Sequence, residues 1–426
     1  RYFPLSSFRM EEKIFHSVLN EHKNVLLCGA GGTGKSYLLN RLAVEGRLRG
    51  MQIYCTATTG VASLNLLKGK TFHSYAGIGT AWQEKERLYK KVASDGKAVK
   101  RITNTDILIV DEISMFGAKL LEKVDYVFRK VKKCDRIFGG IQVVFGGDFM
   151  QLPPVKDEWI FTSELWNEFN FDSGAFTLRK GWRYDDPYYF ELMMRVREGA
   201  FTREDVDLLR TRVKAYDQLE QEISKKRSER KIDTIMPTVL YSRRKDVVWH
   251  NNEEMSLLPT PTVFYESTDD FTPLTKNIKL DHYIDLLGEI IPQKIELKVG
   301  AQVMLKANLD TDVGLVNGSR GVVLELSDEV VTVKFLPRKN FASGMIVRIQ
   351  RYSWELEDYD ARIIRSQFPL ILAWAFTIHK GQGSTLDYAV CDLGPSVFAC
   401  GQAYVALSRV RNIEGLYIIE FTPHSI

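Results

Sequence analysis

The chain has 426 residues, 45% of them apolar and 26% charged, with a net charge of only +4. That is ordinary globular composition with length for two or three cores, and global charge by itself announces no polyanionic partner. No apolar run reaches the roughly 18 residues of a membrane span, so no membrane association is expected.

The start, "RYFPLSSFRM", has no initiator methionine and no signal peptide, so a fragment is expected. Cys28, Cys55, Cys134, Cys391 and Cys400 show no CxxC and no zinc spacing with histidine. They read as reduced thiols of an intracellular protein. The expected compartment is the nucleus or mitochondrion in a eukaryote and the cytoplasm in a bacterium or virus.

"NVLLC" (24–28) predicts a short buried strand, followed by a glycine-rich loop and the helix "SYLLNRLAVEG". "QIYCTAT" (52–58), "DILIV" (106–110) and "IQVVF" (141–145) predict further buried strands. Between the last two, Leu120, Leu121, Val124, Val127, Phe128 and Val131 recur at helical spacing. Strands alternating with helices imply an α/β fold with a parallel sheet covered on both faces. A second α/β set follows: "TVLYS", the helix-like "RRKDVVWHNNEEM", "LILAWAF" (370–376), "YAVCDL" and "LYIIEF". Within it, "RGVVLEL", "EVVTVKFL" and "MIVRIQRYSWEL" lack helical periodicity and predict a small all-β insert. Residues 85–101 hold seven Lys/Arg against two acids, and "SKKRSERK" (224–231) is also basic. Taken singly, such runs read as solvated helix faces.

"GAGGTGKS", Gly29 to Ser36, fits G-x-x-x-x-G-K-[ST] between a strand and a helix, the context that makes it specific for phosphate. Backbone N–H groups of Gly29, Gly31, Gly32, Thr33 and Gly34 and the helix N-terminus would cradle phosphates. Lys35 would neutralise the β/γ-phosphates of ATP, and Ser36 would ligate Mg²⁺. Asp111 ends "DILIVD" where an acid can hold Mg²⁺, and the adjacent Glu112 can deprotonate and orient water. A solvated acid pair is the bland alternative. "FGGDFMQLPPV" (145–155) leaves the next strand toward the same sheet edge. There Gln151 can sense a γ-phosphate or the attacking water, while Asp148 orients the turn or touches metal.

Five segments in this order, "GAGGTGKS", "DEISMF", "FGGIQVVFGGDFMQLPPV", "TIHKGQGSTLD" and "AYVALSRVR", resemble superfamily-one DNA helicases. The segment "LLEKVDYVFRKVKKCDRIFGGIQ" resembles the Pif-type (petite-integration-frequency) family in particular, and the similarity runs over essentially the whole chain. The resemblance implies two RecA-like domains, with a wedge insert in the first and an SH3-like insert in the second. Mapped onto this chain, that gives 1–180 (wedge about 65–105), 181–305 with 367–426, and the β insert 306–366. It implies an ATP-driven 5′→3′ helicase of genome maintenance acting on single-stranded and forked DNA, with G-quadruplex and RNA–DNA hybrid as further substrates. A monomer is expected, with self-association on DNA as the alternative.

The resemblance also assigns Arg409 as an arginine finger, Arg183 as a second phosphate-reaching arginine and Gly383 to the nucleotide. Thr59, His73, Ser74, Asn308, Thr377, His379 and Lys380 would lie along the DNA strand. His73 and His379 read equally well as structural histidines, and Phe72 and Trp374 as core. Two positions depart from the family pattern. Glu12 stands where a glutamine usually reads adenine, and "WRY" (182–184) replaces Phe-Arg-Gln. A nucleotide-switched DNA clamp and a P-loop phosphotransferase are the competing functions.

Overall fold

The protein is described from a computed structural model. It describes residues 5–423 apart from 64, 80, 82, 229–235, 274–283, 285–286, 289–290, 311–312, 314, 316, 336–343, 358–360, 383–384 and 387. The chain divides into two compact units, Arg1–Arg183 and Tyr184–Ile426.

The first unit runs α1 (Leu5–Leu19), β1 (Val25–Gly29), α2 (Lys35–Leu48), β2 (Ile53–Ala57), α3 (Gly60–Ser63), β3 (Lys70–Thr71) and α4 (Phe72–Ala76). It continues α5 (Lys85–Ser94), α6 (Gly96–Asn104), β4 (Ile107–Asp111), α7 (Ala118–Lys132), β5 (Gln142–Gly147) and β6 (Ala175–Leu178). The strands form one parallel sheet in the order β3-β2-β4-β5-β1-β6. Period-two alternation explains why its central strands are apolar throughout. Leu108, Val110, Val143 and Phe145 pack on one face with α5, α6 and α7. Ile107, Ile109 and Val144 pack on the other with α1 and α2. The helix predicted from Leu121, Val124, Val127 and Phe128 is α7, and those four side chains are fully buried.

The stretch 65–105 contains α4, α5 and α6. Asp95 caps α6 by accepting the N–H groups of Lys97 and Ala98 at 2.9 and 3.0 Å. Leu88, Val92, Ala98 and Ile102 turn into the core, and Lys85, Arg87, Lys90, Lys97 and Lys100 face outward. Phe72 is core, as its sequence context suggested.

The second unit begins with α8 (Pro187–Arg197) and α9 (Arg203–Ser228), followed by β7 (Thr238–Tyr241), α10 (Arg244–Leu257), β8 (Val263–Glu266), β9 (Thr268–Pro273), β10 (Lys294–Leu297) and β11 (Gln302–Leu305). Then come β12 (Arg320–Leu326), β13 (Val331–Phe335), β14 (Met345–Ile349), β15 (Tyr352–Glu357), β16 (Ala361–Gln367), β17 (Leu370–Leu372) and β18 (Ala375–Thr377). The unit closes with α11 (Ile378–Gly381), β19 (Ala389–Leu393), α12 (Gln402–Leu407) and β20 (Leu416–Phe421). β18-β7-β19-β20 form a parallel sheet. The β-rich part is an antiparallel sheet β14-β13-β12-β11-β17, a sheet β15-β16-β9 and the pair β10-β8. It therefore draws strands from both sides of 306–366.

"LILAWAF" is not one strand. Leu370–Leu372 pairs with β11 in the antiparallel sheet, and Ala375–Thr377 pairs with β7 in the parallel one. Ala373 is the pivot. Its N–H donates to the Gln302 carbonyl at 2.9 Å, and its carbonyl accepts from Thr238 Oγ1 and Gln302 Nε2 at 2.9 Å each. Trp374 is buried beside it.

In the three-stranded sheet Arg365 lies opposite Asp269, and its Nε and Nη2 donate to both carboxylate oxygens at 2.8 and 2.6 Å. The Arg365 side chain is 1% exposed. Its hydrogen bonds hold the Asp269 carboxyl below the usual carboxylate range. Asp269→Ala leaves a buried guanidinium without its carboxylate, so a loss of about 3–5 kcal/mol is expected in denaturant unfolding. The native pair's stabilisation is present above the ordinary carboxylate pKa and fades as pH falls through the lowered one, so the gap between native and variant narrows in acid.

Candidate functional site

The loop after β1 turns on Gly32 and Gly34, at φ +83° and +90°, values that only glycine adopts without strain. Gly34 is the N-cap of α2 and offers no side chain to that helix's first N–H groups, which leaves them to an anionic ligand. Thr33 Oγ1 donates to the Ala30 carbonyl at 2.8 Å and braces the loop. Lys35 is buried, and its Nζ donates to the carbonyls of Gly29 and Ala30 at 2.7 and 3.1 Å. The ammonium is thus held under the loop where phosphate oxygens would compete for it.

β4 delivers Asp111 to the same edge. It is buried, and its Oδ2 accepts from Ser36 Oγ at 2.6 Å while Oδ1 accepts the Glu112 N–H at 2.9 Å. Burial pushes the Asp111 carboxyl up, opposed by the Ser36 hydroxyl, the Lys35 charge and the Glu112 N–H. A hydroxyl and a carboxylate in contact, set against the phosphate loop, form an oxygen pair that suits a hard divalent cation such as Mg²⁺. Glu112 is half-buried and sits at φ 56°, ψ 44°, a left-handed conformation that a glutamate adopts only when its surroundings enforce it.

β5 runs beside β4, and Gly146 and Gly147 permit the approach. A Cβ on Gly146 would lie 2.8 Å from Leu39 Cδ1 and 3.1 Å from Asp111 Oδ1. One on Gly147 would lie 2.9 Å from the Ile113 backbone nitrogen. The two glycines therefore make room for the acid pair and α2. Beyond them the chain turns, with Gln151 N–H donating to the Asp148 carbonyl at 2.9 Å. Asp148 is fully buried and its carboxylate accepts from Met150 N–H and Gln151 Nε2 at 3.3 and 3.5 Å. Of its two sequence readings, the geometry favours the one that orients the turn and the glutamine.

Arg183 reaches the loop through its backbone. The N–H groups of Trp182 and Arg183 donate to the Gly32 carbonyl at 2.8 and 3.2 Å, and a Cβ on Gly32 would meet Arg183 Cβ at 2.5 Å. Arg409, in the second unit, is buried there. Its Nε, Nη1 and Nη2 donate to Val405 O, Gly381 O and Ser408 Oγ at 2.7, 3.2 and 2.6 Å. Gly383 lies outside the described residues.

The expected DNA-contacting residues fall at strand ends. Thr59 follows β2, and its Oγ1 accepts the Ala62 N–H at 3.2 Å. His73 and Ser74 are half-buried on α4, whose cap is Thr71. Thr377 is buried at the end of β18, and His379 and Lys380 follow on α11. Asn308 is exposed and its Oδ1 accepts the Asn317 N–H at 2.8 Å. Burial pushes His73 and His379 below the usual histidine range, the Arg244 charge adding to the shift at His379. Both shifts favour the neutral ring. Among the described residues no cluster of three metal-ligating side chains is found and no helix is long and apolar enough to cross a membrane.

Two residues were missed in the sequence. Thr58 Oγ1 donates to the Glu112 carbonyl at 2.9 Å, and its N–H to the Asp111 carbonyl at 3.3 Å, which ties the acid pair to the "TATTG" segment. Glu11, not Glu12, lines a cavity of about 490 Å³ beside Gly34. Spacing carries that signal, because Glu11 shares a helical face with buried Ile14 and Val18 while Glu12 is exposed.

The chain matches the "PIF1-like helicase" family over residues 9–199 and "DNA helicase Pif1, 2B domain" over 287–326. It is 36% identical over 412 residues to "ATP-dependent DNA helicase PIF1" of Danio rerio, covering 95% of this chain and 60% of that protein. It is 31% identical over 417 residues to "ATP-dependent DNA helicase Pif1" of Bdellovibrio bacteriovorus, covering 96% and 87%. Thus it spans about three fifths of the vertebrate relative's length. Among solved structures it is similar to the Pif1 helicase of Candida albicans, at a TM-score of 0.79 and 31% identity over 100% of this chain and 97% of that one. It is also similar to the structure titled "Structural Basis for DNA Unwinding at Forked dsDNA by two coordinating Pif1 helicases", at 0.64 and 27% over 100% and 94%.

Because burial raises the Asp111 pKa, its contribution to stability is fully present below the ordinary carboxylate pKa and is lost as pH rises through the raised one. Asp111→Asn removes that dependence. With nucleotide absent and EDTA present, the melting temperature of the variant relative to native is expected to rise as pH climbs above the ordinary carboxylate pKa.

Proposed function

This chain belongs to the PIF1-like helicase family, and on that footing we propose that it is an ATP-dependent DNA helicase that moves 5′→3′ on single-stranded DNA and unwinds forked duplexes. The observation that carries the reading is the cluster at one sheet edge: Lys35 under the phosphate loop, Ser36 on Asp111, and Glu112 beside it. The names of the relatives support both the ATP and the DNA in it.

In this reading the Lys35 ammonium exchanges its loop carbonyls for β- and γ-phosphate oxygens. Ser36 Oγ and the Asp111 carboxylate would hold Mg²⁺, which when bound supplies positive charge against the phosphates. Glu112 accepts a proton from the attacking water, and its imposed backbone conformation fixes where the carboxylate starts from. Gln151, aimed by Asp148, donates its amide to the γ-phosphate or that water. Arg183 and Arg409 are the arginines we assign to the charge that develops in the transition state. Arg409 must leave Val405 O, Gly381 O and Ser408 Oγ to do so, which makes its engagement a discrete step.

Thr58 gives the nucleotide site a physical route to DNA. A shift of the Glu112 carbonyl on hydrolysis pulls on Thr58, whose neighbour Thr59 opens the expected DNA path with His73 and Ser74. Thr377, His379, Lys380 and Asn308 would supply the second unit's contacts. As neutral rings, the two histidines would stack or hydrogen-bond rather than neutralise phosphate. G-quadruplex and RNA–DNA hybrid substrates, work in replication and repair, self-association on DNA and an intracellular location belong to the same proposal and rest on the family alone.

ATP hydrolysis measured with and without single-stranded DNA tests the reading. At least tenfold stimulation is expected, and Glu112→Gln should lower turnover by about 10²–10⁴-fold while nucleotide still binds. Strand displacement is expected on a 5′-tailed duplex. Activity on a 3′ tail alone would sink the direction, and ATPase indifferent to DNA would sink the helicase.

A further inference from the structure

We propose that Ser114 is a positioning residue for ATP hydrolysis, a reserve donor whose hydroxyl takes over the Asp148 carboxylate when Gln151 turns to the γ-phosphate. The inference rests on the ATP-hydrolysing reading and adds to it the residue that makes the release of Gln151 tolerable. Ser114 lies two residues beyond Glu112, in the short helical turn Ile113–Met115. It is fully buried, and among the described residues its Oγ has no hydrogen-bond partner. A hydroxyl kept out of water without a partner costs stability, and packing alone does not account for it. The other hydroxyls at this sheet edge are engaged. Ser36 donates to Asp111, Thr58 to the Glu112 carbonyl and Thr33 to the Ala30 carbonyl.

β4 and β5 leave the sheet side by side, in a register that sets Val110 against Phe145. The backbone of Ile113 and Ser114 covers Gly147, where a Cβ would lie 2.9 Å from the Ile113 nitrogen and 3.5 Å from the Ser114 nitrogen. Asp148 is the next residue, and it too is fully buried. Its carboxylate accepts Met150 N–H at 3.3 Å and Gln151 Nε2 at 3.5 Å, both longer than the usual N–H···O distance. When Gln151 gives its amide to the γ-phosphate or the attacking water, Asp148 loses one of these donors. A buried carboxylate tolerates such a loss only where another donor replaces it. Ser114 supplies an O–H from the adjoining chain and keeps its proton in doing so. The exchange therefore lets the Gln151 side chain leave while the Asp148 turn that carries it stays in place.

Thermal melting and nucleotide binding of Ser114→Ala, read together, test the assignment. Without ligand the variant is expected to melt at or above the native temperature, because it loses only an unpartnered hydroxyl. Aluminium fluoride, a γ-phosphate mimic, should tighten Mg²⁺-ADP binding about tenfold less in the variant than in the native protein, with affinity for Mg²⁺-ADP alone within about twofold of native. The kcat for ATP should fall by about the same factor while KM stays within about twofold. Ser114→Cys, whose thiol is a weaker donor, should lie between native and alanine. Because Ser114 acts through Gln151, Gln151→Ala and the double variant should lose the effect of the mimic equally. A melting temperature clearly lowered in ligand-free Ser114→Ala assigns the hydroxyl to packing and overturns the proposal. So do native kcat and native tightening in that variant, or additive losses in the double variant, and these leave the ATPase reading standing. A native protein that neither binds Mg²⁺-ADP nor hydrolyses ATP overturns that reading as well.

Discussion

Two opposite charges buried at the carboxyl edge of one parallel sheet govern the first unit. Lys35 and Asp111 are both out of water, and neither could stay there ionised without dedicated partners. Lys35 takes two loop carbonyls, and Asp111 takes the Ser36 hydroxyl and the Glu112 N–H. Those needs dictate the local sequence. The loop must turn on glycines so that its carbonyls point down at the ammonium. Glycines must end β5 so that Asp111 has room. The chain after β4 passes through a left-handed residue, Glu112, whose N–H is committed to the Asp111 carboxylate. The site is thereby assembled by the same contacts that make its burial tolerable.

The sheet places everything else relative to that pair. Alternation along β4 and β5 sends their side chains into two cores, so both strand ends arrive rigidly. What leaves those ends are the residues proposed for the chemistry: Glu112 from one, and from the other the turn that carries Asp148 and Gln151. The neighbouring β2 is followed by Thr58, whose hydroxyl donates to the Glu112 carbonyl. Thr58 thus ties the proposed nucleotide site to the expected DNA path through its hydroxyl and its N–H, bonded to the Glu112 and Asp111 carbonyls. The pairing of buried Arg365 with half-buried Asp269 in the second unit is a different use of charge, bridging β16 and β9.

Much of this was legible in the sequence because it is local. A phosphate loop between a strand and a helix, two acids ending an apolar strand, and α7's helical period each declare themselves within some 15 residues. What was not legible depends on tertiary choice. "LILAWAF" has no turn residue at its centre, yet the chain changes sheets at Ala373 because Gln302 and Thr238 bind it there. The resemblance assigns Arg409 as an arginine finger, and in the structure backbone carbonyls and Ser408 occupy its donors. Counting back from the phosphate loop gives Glu12 where the family pattern has a glutamine, while the structure sets the neighbouring Glu11 in the lining of the cavity beside Gly34.

The account's central claim is that Lys35, Ser36, Asp111 and Glu112 are one ligand-ready cluster. Its most direct test is a crystal structure with Mg²⁺, ADP and a γ-phosphate mimic. The account expects Lys35 Nζ to have left the Gly29 and Ala30 carbonyls for phosphate oxygens. It expects the direct Ser36–Asp111 hydrogen bond to be replaced by coordination of the ion, with the Glu112 carboxylate facing the mimic. A nucleotide seated elsewhere, or a Lys35 still on its carbonyls beneath bound phosphates, would contradict it.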